Sequence, residues 1–193
     1  MAPRLVLFAR YPTAGAAKTR LIPALGPEGA AGVHRQLTER TVGVLLGSEL
    51  PVELHYTGAA DADFRAWLGN GFALVEQAKG NLTDRLLAAL YPAPVIFFGA
   101  DTPDLSAHHV AQAVAALETH PVVLGPADDG GYYLIGMKEP MPELLDHMPW
   151  STDQVIPETL RRLAAMNISP ALLDTLHDCD RPEDLARWPW LTA

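Results

Sequence analysis

The chain has 193 residues, 49% of them hydrophobic, with 14 Lys and Arg against 23 Asp and Glu and a formal net charge of -9. That length and apolar content suit one domain, residues 1–193, built around a single sizeable core. The acidic balance, with no basic run or basic–aromatic patch, argues against nucleic acid as a partner but leaves room for small anions held by a few local cations. One cysteine, Cys179, excludes an internal disulfide and a cysteine-based zinc site. The apolar stretch in "MAPRLVLFARYP" is too short for a signal peptide, and no run approaches eighteen apolar residues. No membrane partner and a cytoplasmic location are therefore expected.

"RLVLFA" (4–9) reads as a buried strand, short and continuously apolar. Residues 26–47 read as a helix, with Pro27 suited to its first position and Val33, Leu37, Thr41, Val44 and Leu45 at helical spacing. "VELHYT" (52–57) predicts a second strand, followed by a short helix from near Asp61 with Phe64, Trp67 and Leu68 on one side. "FALVEQ" (72–77) is strand-like, and Leu82, Leu86, Leu87 and Leu90 mark a helix face. "PVIFFGAD" (94–101) is the clearest buried strand, and Ser106 suits the N-cap of the next helix. "PVVLGP" and "YYLIGM" form two strands around the turn "ADDGG". A helix over about 153–166, a strand "ALLDTL" (171–176) and a closing helix "RPEDLARW" (181–188) complete the pattern.

Strands alternating with helices predict an α/β fold: a doubly wound, mostly parallel sheet with helices on both faces and a local antiparallel pair around "ADDGG". Ligands of such sheets bind outside the carboxyl ends of the strands. The segments there are "ARYPTAGAAKTR", "QAKGNLTDR", "GADTPD", "GPADDGGYY" and "LHDCD", all rich in charge or glycine.

The first carries Gly15, Lys18 and Arg20, a loop that can offer backbone N–H groups and charge to a phosphate. It is not a Walker A loop, because Gly15 lies three residues before Lys18. Asp101 ends an apolar strand, where a carboxylate needs a partner, and a divalent cation completed by substrate phosphates would supply one. Asp104, beside Pro103, either serves the site or caps a turn. Asp129, Gly130 and Gly131 form either a plain hairpin turn or a close-approach ligand loop. Asp178 or Asp180 can complete the metal site begun by Asp101, or else cap the turn before Pro182. Ser151, Thr152 or Asp153 either cap the following helix or meet an acceptor. Tyr132 and Tyr133 are expected to alternate between core and surface, and the seven histidines show no ligand spacing. No nucleophile elbow, HExxH or catalytic triad order is present.

Taken in order, "FARYPTAGAAKTRL", "QAKGNLTDRL", "GADTPDL", "GPADDGGYYLIG", "PWSTDQV" and "DCDRPEDL" give the chain a resemblance to the CofC-like bacterial transferases found beside radical-SAM genes. That family belongs to the nucleotide-diphospho-sugar transferase (GT-A) superfamily. The resemblance implies a GT-A fold and a nucleotide over the loop that follows Ala9, with Gly15 letting the loop approach and Lys18 and Arg20 holding phosphates. It also implies that Gln77, Gly80 and Arg85 border the nucleobase, that Asp101 binds metal, and that Asp180 is the second ligand. The acceptor falls to Asp104, Asp129, Gly130, Gly131, Trp150, Ser151 and Thr152. Asp101-Thr-Pro-Asp104 departs from the Asp-x-Asp of many glycosyltransferases of this fold.

The expectation is a transferase dependent on Mg2+ (or Mn2+) that uses a nucleoside triphosphate or nucleotide-sugar and a small-molecule acceptor. The favoured form is nucleotidyl transfer to a phosphorylated acceptor with loss of pyrophosphate. Lys18, Arg20 and Asp101 would be its catalytic groups, and no protein nucleophile is needed. Sugar transfer, with Asp129 or Asp104 as base, is the alternative. A non-catalytic nucleotide-binding domain is the alternative of another class.

Overall fold

A computed structural model describes residues 1–192. Seven strands, β1 (Arg4–Arg10), β2 (Val52–Thr57), β3 (Ala73–Glu76), β4 (Val95–Phe98), β5 (Val122–Pro126), β6 (Tyr132–Met137) and β7 (Ala171–Leu172), form one sheet in the order β3-β2-β1-β4-β6-β5-β7. Every pairing is parallel except those of β6, which runs antiparallel to both β4 and β5. This is the doubly wound, mostly parallel arrangement with a local antiparallel pair that the sequence predicts.

The helices are α1 (Ile22–Leu46), α2 (Asp61–Leu68), α3 (Leu82–Ala88), α4 (Ala107–Thr119) and α5 (Val155–Ala165). Gly26 breaks α1 with φ 72°, and the regular helix restarts at Pro27, whose ring presets a helical φ where no intrahelical N–H is needed. Val42 and Leu45 of α1, Phe64 of α2, and Val110, Ala113 and Leu117 of α4 pack on one face of the sheet. Leu86 and Ala89 with Leu163 of α5 cover the other, against Val6, Phe97, Ile135 and Met137. Each fully buried Leu, Ile or Phe contributes about 1.5–3 kcal/mol on leaving water. The alternating apolar positions of β1 and β4 feed both layers, which makes these two strands the rigid centre from which the site loops project.

Two elements depart from expectation. The strand expected over 171–176 pairs regularly only at Ala171–Leu172 and touches the sheet again at a bridge between Ala127 and Leu176. Its partner β5 has a register shift at Gly125/Pro126, and Pro126 has no N–H to continue the ladder. The closing segment is a 3-10 helix, Pro182–Arg187, rather than an α-helix. Trp188 precedes Pro189, which bars it from a helical conformation and stops the segment within two turns.

The same shift at β5 leaves Tyr133 without a direct partner, since Gly125 pairs Leu134 and Pro126 pairs Tyr132. Tyr133 and Leu134 therefore both join the layer beneath α4, while Tyr132 turns to the α3–α5 side. The expected alternation of core and surface is replaced by two tyrosines on opposite faces of the sheet.

Candidate active site

Three adjoining compartments open at the carboxyl ends of β1 and β4, beside the β5–β6 hairpin, with volumes of about 390, 590 and 420 Å³. Asp129 and Ser151 line all three, which makes the cleft continuous. The first compartment is an apolar slot walled by Phe8, Leu82, Leu86, Phe97, Tyr132 and Trp150. The second and third are lined chiefly by charge.

Lys18 anchors the charged part. It takes a left-handed backbone (φ 46°), and its side chain is 5% exposed. Its Nζ lies 2.7 Å from Asp101 Oδ1 and 2.6 Å from Asp180 Oδ1, and donates to the Cys179 carbonyl at 2.8 Å. Burial works against the charge on this ammonium, yet the two carboxylates outweigh it and hold the pKa well above the ordinary lysine value. Burial works against the Asp101 carboxylate as well, but its side chain is only partly withdrawn from water and the facing Lys18 holds it below the usual carboxylate range. Arg20 Nη1 approaches the other oxygen of Asp180 at 3.3 Å. A backbone bond from Cys179 N to Asp101 O, 2.9 Å, ties the C-terminal segment to the loop after β4.

Beside this knot, Asp178 accepts a hydrogen bond from Thr102 Oγ1 at 2.5 Å. Burial, together with the nearby charges of Asp101 and Asp129, raises its carboxyl to about 7 despite that bond. Asp129 is fixed by the turn itself, its Oδ1 accepting from Gly131 N at 2.8 Å.

The slot is built from side chains that brace one another. Gln77 Nε2 donates to the carbonyls of His55 (2.8 Å) and Ala9 (3.3 Å), while its Oε1 accepts from Arg85 Nη1 at 3.1 Å. Trp150 donates from its indole to Thr83 Oγ1 at 2.8 Å and meets Tyr132 edge-on, with centroids 6.0 Å apart. The Tyr132 hydroxyl is buried without a hydrogen-bond partner, and burial pushes its pKa up.

Of the residues singled out in the sequence, the fold gathers Ala9, Lys18, Arg20, Gln77, Arg85, Asp101, Asp129, Gly131, Trp150, Ser151, Thr152 and Asp180 around the cleft. Four fall outside its lining. Asp104 is turned to the C-terminal segment, where Oδ1 accepts from the Trp188 indole at 3.0 Å. Gly15 (φ 78°) sits in the exposed β1 loop with nothing near its missing Cβ. A Cβ at Gly80 would collide with Asp84, which closes the capping box of α3. Gly130 (φ 90°) lies against the backbone of Asp153. Arg10 and His34 are among the lining residues that were not singled out. Arg10 was legible as the first charge after the β1 apolar run, whereas His34, whose Nε2 meets the Arg10 carbonyl at 2.9 Å, sits mid-helix with no local signal.

The donor chemistry suits a hard divalent cation. Among the described residues no group of three His, Cys, Asp or Glu is placed to hold a metal. Mg2+ needs only one or two carboxylates when phosphates supply further oxygens, and Asp101, with a side chain 49% exposed, can offer one. Asp180 has both oxygens engaged by Lys18 and Arg20, so a second ligand there requires those cations to yield.

A doubly wound sheet with a continuous apolar-to-charged cleft at its switch edge defines the chain as having the nucleotide-diphospho-sugar transferase fold. It belongs to the bacterial family described as "Uncharacterized protein conserved in bacteria (DUF2064)", whose model matches residues 42–152. A protein from Desulfovibrio desulfuricans G20, provisionally named a nucleotide-diphospho-sugar transferase, is 28% identical with a TM-score of 0.89, the alignment covering 96% of this chain and 85% of that one. The 2-C-methyl-D-erythritol 4-phosphate cytidylyltransferase of Thermus thermophilus shares the fold at 18% identity, TM-score 0.58, covering 100% and 99%. So does Rv0371c of Mycobacterium tuberculosis H37Rv in complex with manganese, at 15% identity, TM-score 0.53 and 97% of each chain. No curated protein sequence matches. No helix among the described residues is long and apolar enough to cross a membrane.

Proposed function

We propose that the chain is a nucleotide-using transferase that moves a sugar from a nucleoside diphosphate-sugar to a hydroxyl of a small acceptor. The observation that carries this reading is the continuity of the apolar slot with the charged compartment around Lys18 and Asp101. The slot takes the nucleobase between Phe8 and Leu82, beside the Gln77–Arg85 pair, and the diphosphate then extends toward Asp101. A divalent cation on Asp101, when bound, would neutralise the leaving diphosphate. Lys18 and Arg20 keep the surrounding carboxylates compensated while the anomeric C–O bond breaks. Asp129, at the meeting of all three compartments, accepts the proton of the attacking hydroxyl.

Charge balance favours this donor over a triphosphate. Asp101, Asp129, Asp178 and Asp180 line the central compartment against Arg10, Lys18 and Arg20, and Lys18 is already shared by two of the acids. A diphosphate-sugar brings about two negative charges, whereas a triphosphate brings about four, before any metal is counted. A phosphorylated acceptor would also meet Asp128, Asp153 and Asp184 in the third compartment, where the lining cations are Arg20 and Arg181. Nucleotidyl transfer remains the second reading, supported by the Lys18–Arg20 pair at the centre of the cleft.

A thermal-shift screen against nucleotide-sugars, nucleoside diphosphates and triphosphates, with and without Mg2+, separates the two. A ligand at a hundred times its Kd adds about 2.7 kcal/mol. Stabilisation by one nucleotide-sugar and its diphosphate supports sugar transfer. Metal-dependent stabilisation by a triphosphate alone moves the reaction to nucleotidyl transfer, and no shift with any nucleotide overturns both.

A further inference from the structure

The cations of the cleft differ in what already holds them. Lys18 is bound by Asp101, Asp180 and the Cys179 carbonyl, and Arg20 by Asp180. Arg85 donates to Gly80 O at 3.2 Å and to Gln77 Oε1 at 3.1 Å. Arg10, the last residue of β1, lines both the apolar slot and the charged compartment. Among the described residues its guanidinium has no hydrogen-bond or ion-pair partner, and its carbonyl alone is engaged, by His34. Its neighbours in the central compartment include four aspartates, yet none is drawn to it.

Position and availability together point to one role. A nucleotide with its base in the slot and its outer phosphate near Asp101 must pass its ribose-linked phosphate across the boundary between the two compartments. Arg10 is the cation that borders both. We propose that Arg10 binds the phosphate adjacent to the ribose and so sets the register of the donor along the cleft. Lys18, with its donors spent on protein, compensates Asp101 and Asp180 and positions the loop. The inference rests on the base-in-slot reading above, and its test is independent of metal and turnover.

The probes are the four common nucleosides and their 5′-monophosphates, titrated in metal-free buffer with chelator by ligand-observed NMR. The wild-type protein is expected to bind one monophosphate at least about tenfold more tightly than its nucleoside, the worth of one charge-assisted hydrogen bond at about 1.4 kcal/mol per decade. Arg10→Gln should bind the nucleoside as before and lose that advantage, while Arg10→Lys keeps part of it, both with an unchanged unfolding midpoint. If wild type binds a monophosphate and its nucleoside equally, or if Arg10→Gln retains the advantage, the Arg10 assignment falls while the base slot stands. If neither probe binds the wild type, the base-in-slot reading itself fails and takes the inference with it.

Discussion

The ammonium of Lys18 and the carboxylate of Asp101, 83 residues apart in sequence, meet at 2.7 Å and join the loop after β1 to the loop after β4. Asp180 reaches the same ammonium from the C-terminal segment. Three loops from distant parts of the chain are thus held at one point, directly over the carboxyl edge of the sheet, by a charge that is nearly withdrawn from water.

Replacing Lys18 by Met should therefore cost stability in a pH-dependent way. The partners are partly exposed, so the loss is expected at about 2 kcal/mol near pH 7, below that of a fully buried pair. The fold holds the Asp101 pKa below its ordinary 3.8, so the pair's contribution is complete above that value and is lost as pH falls through the folded pKa. The raised Lys18 pKa keeps the ammonium charged throughout this range. Urea unfolding of wild type and Lys18→Met should show a gap at pH 7 that persists down to 3.8 and closes only as the pH falls further. A gap of constant size would contradict the pairing.

Asp104 provides the converse case, an acid that sequence places in the acceptor site and the fold places behind it. Asp104→Ala leaves the Trp188 indole unpaired and should lower stability by about 1 kcal/mol. Transfer kinetics should stay within about twofold of wild type, since a loss that small is under about 0.5 kcal/mol of barrier. A large fall in kcat/KM with stability intact would return Asp104 to the site.

Gly130→Ala tests how the "DDGG" turn supports the loop around Ser151. The residue has φ 90°, and an added Cβ would fall onto the Asp153 backbone, which itself begins the turn into α5. Strain and overpacking together should cost about 2–3 kcal/mol. Thermal denaturation reads the loss directly, and an unchanged midpoint would mean that the two loops are not packed as described.

The strands and helices were legible because their apolar positions follow the periods of two and three to four that burial demands. The restart of α1 was signalled by Pro27 after Gly26, whereas its first residues from Ile22 were not. Lys18, Asp101 and the 178–180 acids were visible as charges placed just after strands. What the sequence concealed depends on contacts between distant segments. Nothing local tells that Trp188 will claim Asp104, or that His34, well inside a long helix, will back the end of β1. The tyrosine pair misled for a related reason: the register shift at Gly125/Pro126 lies on the neighbouring strand, and both tyrosines line the slot.

The central claim, that Asp101 sits at the reaction centre, is tested most directly by comparing wild type and Asp101→Asn for nucleotide release from a panel of nucleotide-sugars and triphosphates with Mg2+. With water taking the sugar in place of the acceptor hydroxyl, wild type should release nucleoside diphosphate from one nucleotide-sugar, and the variant, folded by circular dichroism, should be slower by about a hundredfold or more. A folded Asp101→Asn protein that turns over at the wild-type rate would contradict the account.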